Sequence, residues 1–193
     1  MPKILDRLRE DHKNMARLFD LIGRELKVFQ TGEHPDYELV KKIVDYCLDY
    51  PGQIHHPLED LVFRKLKARD PNAGRIVGDL DREHAKLDAF TRRFSAALAN
   101  VLEDELLPRD WFLEVANDFL GFSRRHMQME EVLFFPALRK HLTPADWTDA
   151  EAAARREIGW TAGADAPMPL EAAYREIMAW GKNAQDRAEA ADA

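Results

Sequence analysis

Apolar residues recur every three or four positions through most of the 193-residue chain, and this spacing predicts amphipathic α-helices rather than strands. Pro51-Gly52 is predicted to kink the second helix, because proline lacks the amide donor that a helix interior needs. Pro136 is predicted to bend the last turn of the fourth. Four long helices are expected, with the approximate ranges 3–30, 37–68, 75–106 and 108–142. The pattern continues with shorter helices over 144–158 and 169–181, a turn at 70–74, a linker at 159–169 and a polar, frayed end.

One local pattern occurs twice. His55 and His126 each have a glutamate four residues later, Glu59 and Glu130, so each pair presents an imidazole and a carboxylate on one helix face. Apolar residues at +3, +7, +8 and +11 lie on or beside that face; they are Leu58, Val62, Phe63 and Leu66 in the first copy and Met129, Leu133, Phe134 and Ala137 in the second. The two carboxylates are therefore predicted to face a core, where a charge needs a partner.

The histidines upstream complete the repeat. His12 lies 43 residues before His55, and His84 lies 42 residues before His126. Each follows an acidic residue and begins an amphipathic run. The chain thus contains one helical hairpin written twice, and two such hairpins predict an all-α, up-down-up-down four-helix bundle with two histidine–carboxylate sets facing each other across the core.

Composition narrows the class of protein. A net charge of −7 and a sequence pI near 5.5 argue against nucleic acid and anionic membrane surfaces as partners. No run of about 18 apolar residues is present to span a bilayer, and the first residues lack the apolar core of a secretion signal. The single Cys47 excludes an internal disulfide and suits a reducing compartment. We expect a cytoplasmic protein with one domain over 1–142 and a helical extension over 143–193 that packs on it.

Six residues are the predicted metal ligands: His12, His55, Glu59, His84, His126 and Glu130. Imidazole suits iron, zinc or copper and bridging carboxylates suit iron or manganese, so the set fits a pair of divalent ions. About four protein ligands per ion would leave positions open for a small molecule such as oxygen or peroxide. The alternative is core histidines and surface ion pairs worth about 0.3–0.5 kcal/mol each, but the matching phase of both copies favours the metal.

These motifs resemble a known family. The HMQMEEVLFFP segment at 126–136, its echo at 55–63 and the leading Asp11-His12 and Glu83-His84 pairs are similar to hemerythrin-like HHE cation-binding domains over about residues 3–142. The resemblance implies a four-helix bundle with a non-haem, oxo- or hydroxo-bridged di-iron centre. It also implies that the two glutamates of the HxxxE pairs bridge the irons and that the four histidines cap them.

One departure from oxygen-carrying hemerythrins affects the expected function. Those proteins have a second histidine four residues after the first in helix three, where this chain has Asp88. Asp88 is expected either to supply a further ligand or to face solvent. Reactions with peroxide or nitric oxide, in oxidative or nitrosative stress, are therefore expected alongside oxygen binding, and whether the protein is an enzyme is left open.

Other residues have two interpretations each. His56 is expected to support the site or to be partly exposed, unless irregularity at Pro57 lets His56 and Asp60 replace His55 and Glu59. Asp11 and Glu83 either orient ligands or stabilise helix starts. Structural roles are predicted for His34, His141 and Cys47, and either core packing or a role beside the site for Tyr46, Tyr50 and Trp111.

The sequence lacks the motifs of two other classes of metalloenzyme. A ferritin-like ferroxidase needs Glu-x-x-His, but Ser123 lies three residues before His126. A zinc hydrolase with His-Glu-x-x-His is excluded by inspection. The remaining alternative is a sensor or store of iron or oxygen whose partner binding depends on the metal, with the C-terminal extension as the responsive part.

Overall fold

The computed structural model describes residues 2–103, 107–160 and 169–191, and all regular secondary structure within these ranges is helical. Two π-helical turns interrupt the helices that carry the HxxxE pairs: the first π-turn, Pro51–His55, joins α2 to α3, and the second π-turn, Glu130–Phe134, joins α6 to α7. The α-helices are α1 Lys3–Thr31, α2 Tyr37–Tyr50, α3 His56–Arg69, α4 Pro71–Val77, α5 Leu80–Leu102, α6 Arg109–Met129, α7 Phe135–His141, α8 Pro144–Ile158 and α9 Pro169–Ala191.

The predicted all-α four-helix bundle is confirmed. Its four rods are α1, α2 with α3, α5, and α6 with α7, and their apolar faces form one continuous core. α1 ends at Thr31 and is capped by Gly32, whose φ of 92° is a left-handed conformation that glycine adopts without strain. The turn that follows sends α2 back along α1, where Asp36 accepts a hydrogen bond from the Leu39 amide and caps the new helix.

Both π-turns end two residues before a proline. Pro57 is the second residue of α3, and Pro136 is the second residue of α7. A π-turn shifts backbone hydrogen bonds from i→i+4 to i→i+5, and a proline without an amide proton suits a place where the regular bonding is interrupted. The irregularity predicted from Pro51-Gly52 is therefore present, and it takes the form of one extra residue in the helix.

The second π-turn makes part of the predicted core face wrong. All four apolar residues predicted for the first copy are buried, but Leu133 in the second copy is 43% exposed and its neighbour Val132 is 61% exposed. Phe135 and Leu138 are fully buried instead. The extra residue rotates everything after Glu130 by about one position, so the face predicted from regular 3.6-residue spacing is displaced.

Two helix boundaries also differ from the prediction. The segment predicted as a turn at 70–74 begins the short helix α4, because the Asp70 side chain accepts hydrogen bonds from the Asn72 and Ala73 amides. α5 ends at Leu102 rather than near 106, and 104–106 lie outside the described residues. The capping box of Thr143 and Asp146 opens α8 as predicted.

The last two helices pack on the bundle. α8 lies against α3 and buries Trp147, and α9 lies against α1 and α2, where the Trp180 indole donates to Asp36 Oδ2 at 2.7 Å. Most of the predicted linker, 161–168, lies outside the described residues. The backbone stays helical to Ala191, although the sequence predicts a frayed end. The division of the chain at residue 142 stays a prediction. Within the described ranges no helix is both long and apolar enough to cross a bilayer.

Candidate metal centre

The six residues predicted as ligands converge at one level of the bundle core, and each rod contributes to the cluster. α1 carries His12, the first π-turn ends at His55, α3 carries Glu59 and α5 carries His84. His126 lies on α6, and Glu130 opens the second π-turn. Both glutamates are completely buried, and the histidines are buried or nearly so. A pair of carboxylates without solvent requires cations close by.

Each histidine directs Nε2 at a carboxylate oxygen. In the first copy, His55 Nε2 lies 3.5 Å from Glu59 Oε1, and in the second, His126 Nε2 lies 2.9 Å from Glu130 Oε1. The upstream histidines cross between copies: His12 Nε2 is 3.1 Å from Glu130 Oε2, and His84 Nε2 is 3.2 Å from Glu59 Oε2. The two predicted HxxxE pairs therefore do share a face, and the repeat interlocks across the core.

His56 joins this cluster and does not replace His55. Its ring stacks on His84 with centroids 3.8 Å apart, and it lies edge-on to His126 at 6.3 Å. Adjacent residues of a regular helix point about 100° apart, yet both neighbouring rings lie at the cluster, His55 against Glu59 and His56 against His84. The adjacent Pro51-Gly52 and Pro57 were the sequence signal, but they did not indicate in which direction His56 would turn.

Two four-residue groups have ligand atoms close enough to share an ion. His56, Glu59, His84 and His126 form the cavity-side group, and His12, His55, Glu59 and Glu130 form the network-side group. In each group one candidate ligand atom from every residue lies within 4.8 Å of the others. Glu59 belongs to both groups, as a bridging carboxylate would.

Unpartnered polar atoms test whether these residues fit a metal. Among the described side chains, all buried nitrogen and oxygen atoms without a hydrogen-bond partner, except Arg9 Nε, belong to the cluster: His12 Nε2, both Glu59 oxygens, His84 Nε2, both His126 nitrogens and both Glu130 oxygens. An unsatisfied buried polar atom is costly. The atoms approach one another closely but are not aligned as donors and acceptors, which is what ligands aimed at a common ion show. The donor set fits divalent metal ions.

The charges of the cluster also favour a bound cation. Burial alone lowers the pKa of His12, but the carboxylates of Glu130 and Glu131 outweigh burial and raise it to about 9. For His84, burial is likewise outweighed by Glu130 and Glu59, which raise the pKa to about 9. Burial, with repulsion from Glu130, raises the pKa of Glu59. Without metal the cluster therefore needs bound protons, which a divalent ion would displace.

The network-side histidines are supported from behind. His12 Nδ1 lies 3.0 Å from Glu131 Oε1, and His55 Nδ1 lies 3.3 Å from Asp11 Oδ2. Holding Nδ1 with a carboxylate fixes the ring and leaves Nε2 facing the cluster, as is common for histidines that bind metals. The orienting role predicted for Asp11 thus has its contact, whereas Glu83 forms an ion pair with Lys86.

A cavity of about 90 Å³ adjoins the cluster. It reaches all three histidines of the cavity-side group and, from the network-side group, His55 and Glu130. Its remaining lining is largely apolar and includes Met15, Phe19, Leu48, Leu87 and Phe119. The hydroxyls of Thr91 and Ser123 donate to backbone carbonyls of their own helices and not into the cavity. A small, weakly polar molecule therefore suits this space.

Residues outside the cluster take simpler roles. Asp88 lines the cavity but is half-exposed and pairs with Arg92, so it belongs to neither four-residue group. Burial raises the pKa of the Cys47 thiol to about 12, which keeps it protonated. His34 contacts Tyr37 and His141 contacts Asp70, in keeping with structural roles. Tyr46 stacks on Tyr50, which contacts Asp11 behind the site.

The comparison with protein families agrees with this geometry. The profile of the hemerythrin HHE cation-binding domain matches residues 3–138, and a second match covers 75–158. The chain belongs to the hemerythrin HHE cation-binding domain family. Searches of curated proteins and of solved structures find no match. Membership in this family implies cation binding, and the histidine–glutamate cluster is where the described part of the chain can hold a cation.

Proposed function

We propose that this hemerythrin-like domain binds two iron ions and uses them to bind or react with oxygen, peroxide or nitric oxide. The observation that carries the proposal is the pair of buried four-donor groups that share Glu59. Nitrogen and carboxylate donors in this ratio suit iron. The unpartnered atoms of both glutamates give each group a reason to take up an ion.

The residues divide between two positions. The network-side ion would be held by His12, His55, Glu59 and Glu130, and the cavity-side ion by His56, His84, His126 and Glu59. Glu130 also approaches His126 and lies 3.9 Å from His84, so its second oxygen would reach the cavity-side ion. His56 thereby becomes a proposed ligand in addition to the six residues predicted from the sequence.

The cavity determines which ion meets an external molecule. Iron, when bound, supplies reversible binding and redox chemistry toward oxygen, peroxide or nitric oxide. The chain contributes an apolar space beside His56, His84 and His126 that admits a small molecule. His55 also lines this space, but its ring and that of His12 are held at Nδ1 by Asp11 and Glu131. We therefore assign ligand binding to the cavity-side position and support to the network-side position.

A sensor of iron or oxygen is the second candidate, and one contact favours it. Arg7, which lies beside Asp11, forms an ion pair with Glu171 at the start of α9. α9, which is not one of the four rods, thus contacts Arg7, and Arg7 contacts the carboxylate that orients His55. Turnover of peroxide or nitric oxide by the purified protein would favour the enzyme, and metal-dependent partner binding without turnover would favour the sensor.

Metal analysis of matched variants tests the proposal. The purified protein should contain close to two irons per chain and show near-ultraviolet bands that bleach with dithionite and return with oxygen. His126→Ala or Glu130→Ala should lower iron affinity by about 10- to 100-fold or more, since even supporting groups at metal sites contribute that much. His141→Ala, at the far end of α7, should leave it unchanged. Full metal content in a His55→Ala/His126→Ala double variant would refute the proposal.

A further inference from the structure

A continuous line of contacts runs from the C-terminal helix α9 to His55. We infer that Arg7 is a positioning residue for His55 and that Glu171 fixes the orientation of Arg7, so that α9 completes the support of the metal centre. The inference rests on the proposed function, because it treats His55 as a metal ligand.

Asp11 is the residue that passes the effect to His55. Its side chain is 3% exposed, and it contacts three groups: Arg7 Nε at 2.9 Å, the Tyr50 hydroxyl at 2.7 Å and His55 Nδ1 at 3.3 Å. Tyr50 donates its hydroxyl proton to Oδ1, whereas His55 lies against Oδ2. A buried carboxylate held on both oxygens has one orientation, and the His55 ring takes its own orientation from that carboxylate.

Arg7 holds this carboxylate from the surface side. Its guanidinium contacts Asp11 and Tyr50 through Nε, Tyr50 again through Nη2, and Glu171 through Nη1. These donors form one rigid planar fork, so they cannot rotate independently. With Glu171 in place the plane is fixed at both ends. Without Glu171, Nη1 would turn to solvent and the side that holds Asp11 and Tyr50 would turn with it.

α9 also has contacts that do not reach the cluster, and these provide a matched control. Lys42 on α2 pairs with Glu176 at 2.9 Å, and Trp180 donates to Asp36. Whereas the Arg7–Glu171 pair joins α9 to α1, the Lys42–Glu176 pair is a surface salt bridge that joins α9 to α2. Neither residue contacts Arg7, Tyr50, Asp11 or a predicted ligand in the contacts described. An exposed salt bridge of this kind contributes little to stability, so loss of Glu176 leaves α9 docked and the line to His55 intact.

Coupling of this kind acts in both directions. If docked α9 favours metal binding through His55, a metal ion on His55 favours docked α9 by the same factor. Metal added to the full-length protein should therefore slow proteolysis at α9. It should also change the fluorescence of Trp180, whose indole lies in the contact with α2. Both signals are independent of any activity of the loaded protein.

Paired variants of the full-length protein test the inference. Fe²⁺ affinity is measured anaerobically by competition with a chromophoric chelator, and the visible spectrum of the Co²⁺-loaded protein reports ligand geometry. Glu171→Gln should weaken Fe²⁺ binding by about 5- to 10-fold, at the low end of typical coupling between sites, and shift the Co²⁺ bands. Arg7→Lys, which keeps the charge but loses the fork, should do the same. Glu176→Gln should leave Fe²⁺ affinity within about 2-fold of that of the unsubstituted protein and should not shift the Co²⁺ bands, because Glu176 lies outside this coupling.

The outcomes separate the inference from the proposed function. If the unsubstituted protein takes up no metal, the proposed function fails. If it loads normally and Glu171→Gln behaves like it, the inference is wrong and the proposed function stands. Equal losses in Glu171→Gln and Glu176→Gln would show that docking of α9 stabilises the fold in general, which would also overturn the inference.

Discussion

The two copies of the histidine–HxxxE hairpin contribute matching residues to the cluster, but each places its π-turn differently. In the first copy the π-turn lies upstream and ends at His55, and the next residue, His56, stacks on His84 in the cluster. In the second copy it lies downstream and begins at Glu130, so it turns Leu133 outward. A π-turn therefore leads into the histidine pair in one hairpin and displaces the core face in the other.

The copies also differ in the partners of the Nδ1 atoms of their histidines. His12 and His55 of the first copy have carboxylates at Nδ1, one of them contributed by Glu131 of the second copy. His126 of the second copy has no partner for its buried Nδ1, and it borders the cavity with His84. Duplicated motifs have thus become unequal in their surroundings. Carboxylates hold the network-side histidines, and all three cavity-side histidines border a space for a small molecule.

The largest effect is expected where the second copy departs from regular helical spacing. Leu138→Ala should lower the free energy of unfolding by about 2–5 kcal/mol, because the side chain is fully buried. Leu133→Ala should change it by about 0.5 kcal/mol or less, since that side chain is partly exposed. Denaturant unfolding of both variants measures the difference. If Leu133→Ala were the more destabilising, the displaced core face would be wrong.

The unequal support of the two copies predicts the next effect. Asp11→Asn should weaken iron binding by about 10- to 100-fold, the usual loss when a carboxylate behind a metal-binding histidine is removed. Glu83→Gln changes the corresponding acid of the second copy, which pairs with Lys86 instead. It should leave iron affinity unchanged in the same chelator competition. Similar losses in both variants would mean that the two copies are supported alike.

A smaller effect is expected at the position where the copies differ in a proposed ligand. Met127 corresponds to His56 in the repeat, so His56→Met makes the first copy like the second. We expect about 10-fold weaker binding of one ion per chain, a loss typical of one supporting group at a metal site, and an unchanged affinity for the other. An anaerobic iron titration with metal analysis resolves the two. Two ions bound as tightly as before would remove His56 from the proposed ligands.

Much of the fold was predictable because it depends on local signals. The spacing of apolar residues at three or four positions located the four rods. Thr143, Pro144 and Asp146 located the start of α8. The convergence of the six candidate residues was predictable for the same reason. A repeat with equal spacing places equivalent residues at equivalent heights in a bundle, whatever their longer-range contacts.

The remainder depended on backbone details and contacts distant in sequence. No periodicity shows whether a proline will kink a helix or accompany a π-turn, so the positions of His56 and Leu133 were not predictable. The partner of His12 is Glu131, which lies 119 residues away in sequence. Arg7 and Glu171, which are likewise in contact, lie 164 residues apart in sequence. Only the packed structure brings such residues together.

The π-turns place a constraint on how this chain can change over time. Each of the two interrupted rods contains one residue more than a regular α-helix would need for the same path. Deleting a single residue from the regular part of α6 would rotate everything that follows by about 100° and carry Phe135 and Leu138 away from the core. Deleting the extra residue of the π-turn itself would restore a regular helix and leave both side chains in place. A change in chain length is therefore compatible with the core at the π-turns and not in the regular helix beside them.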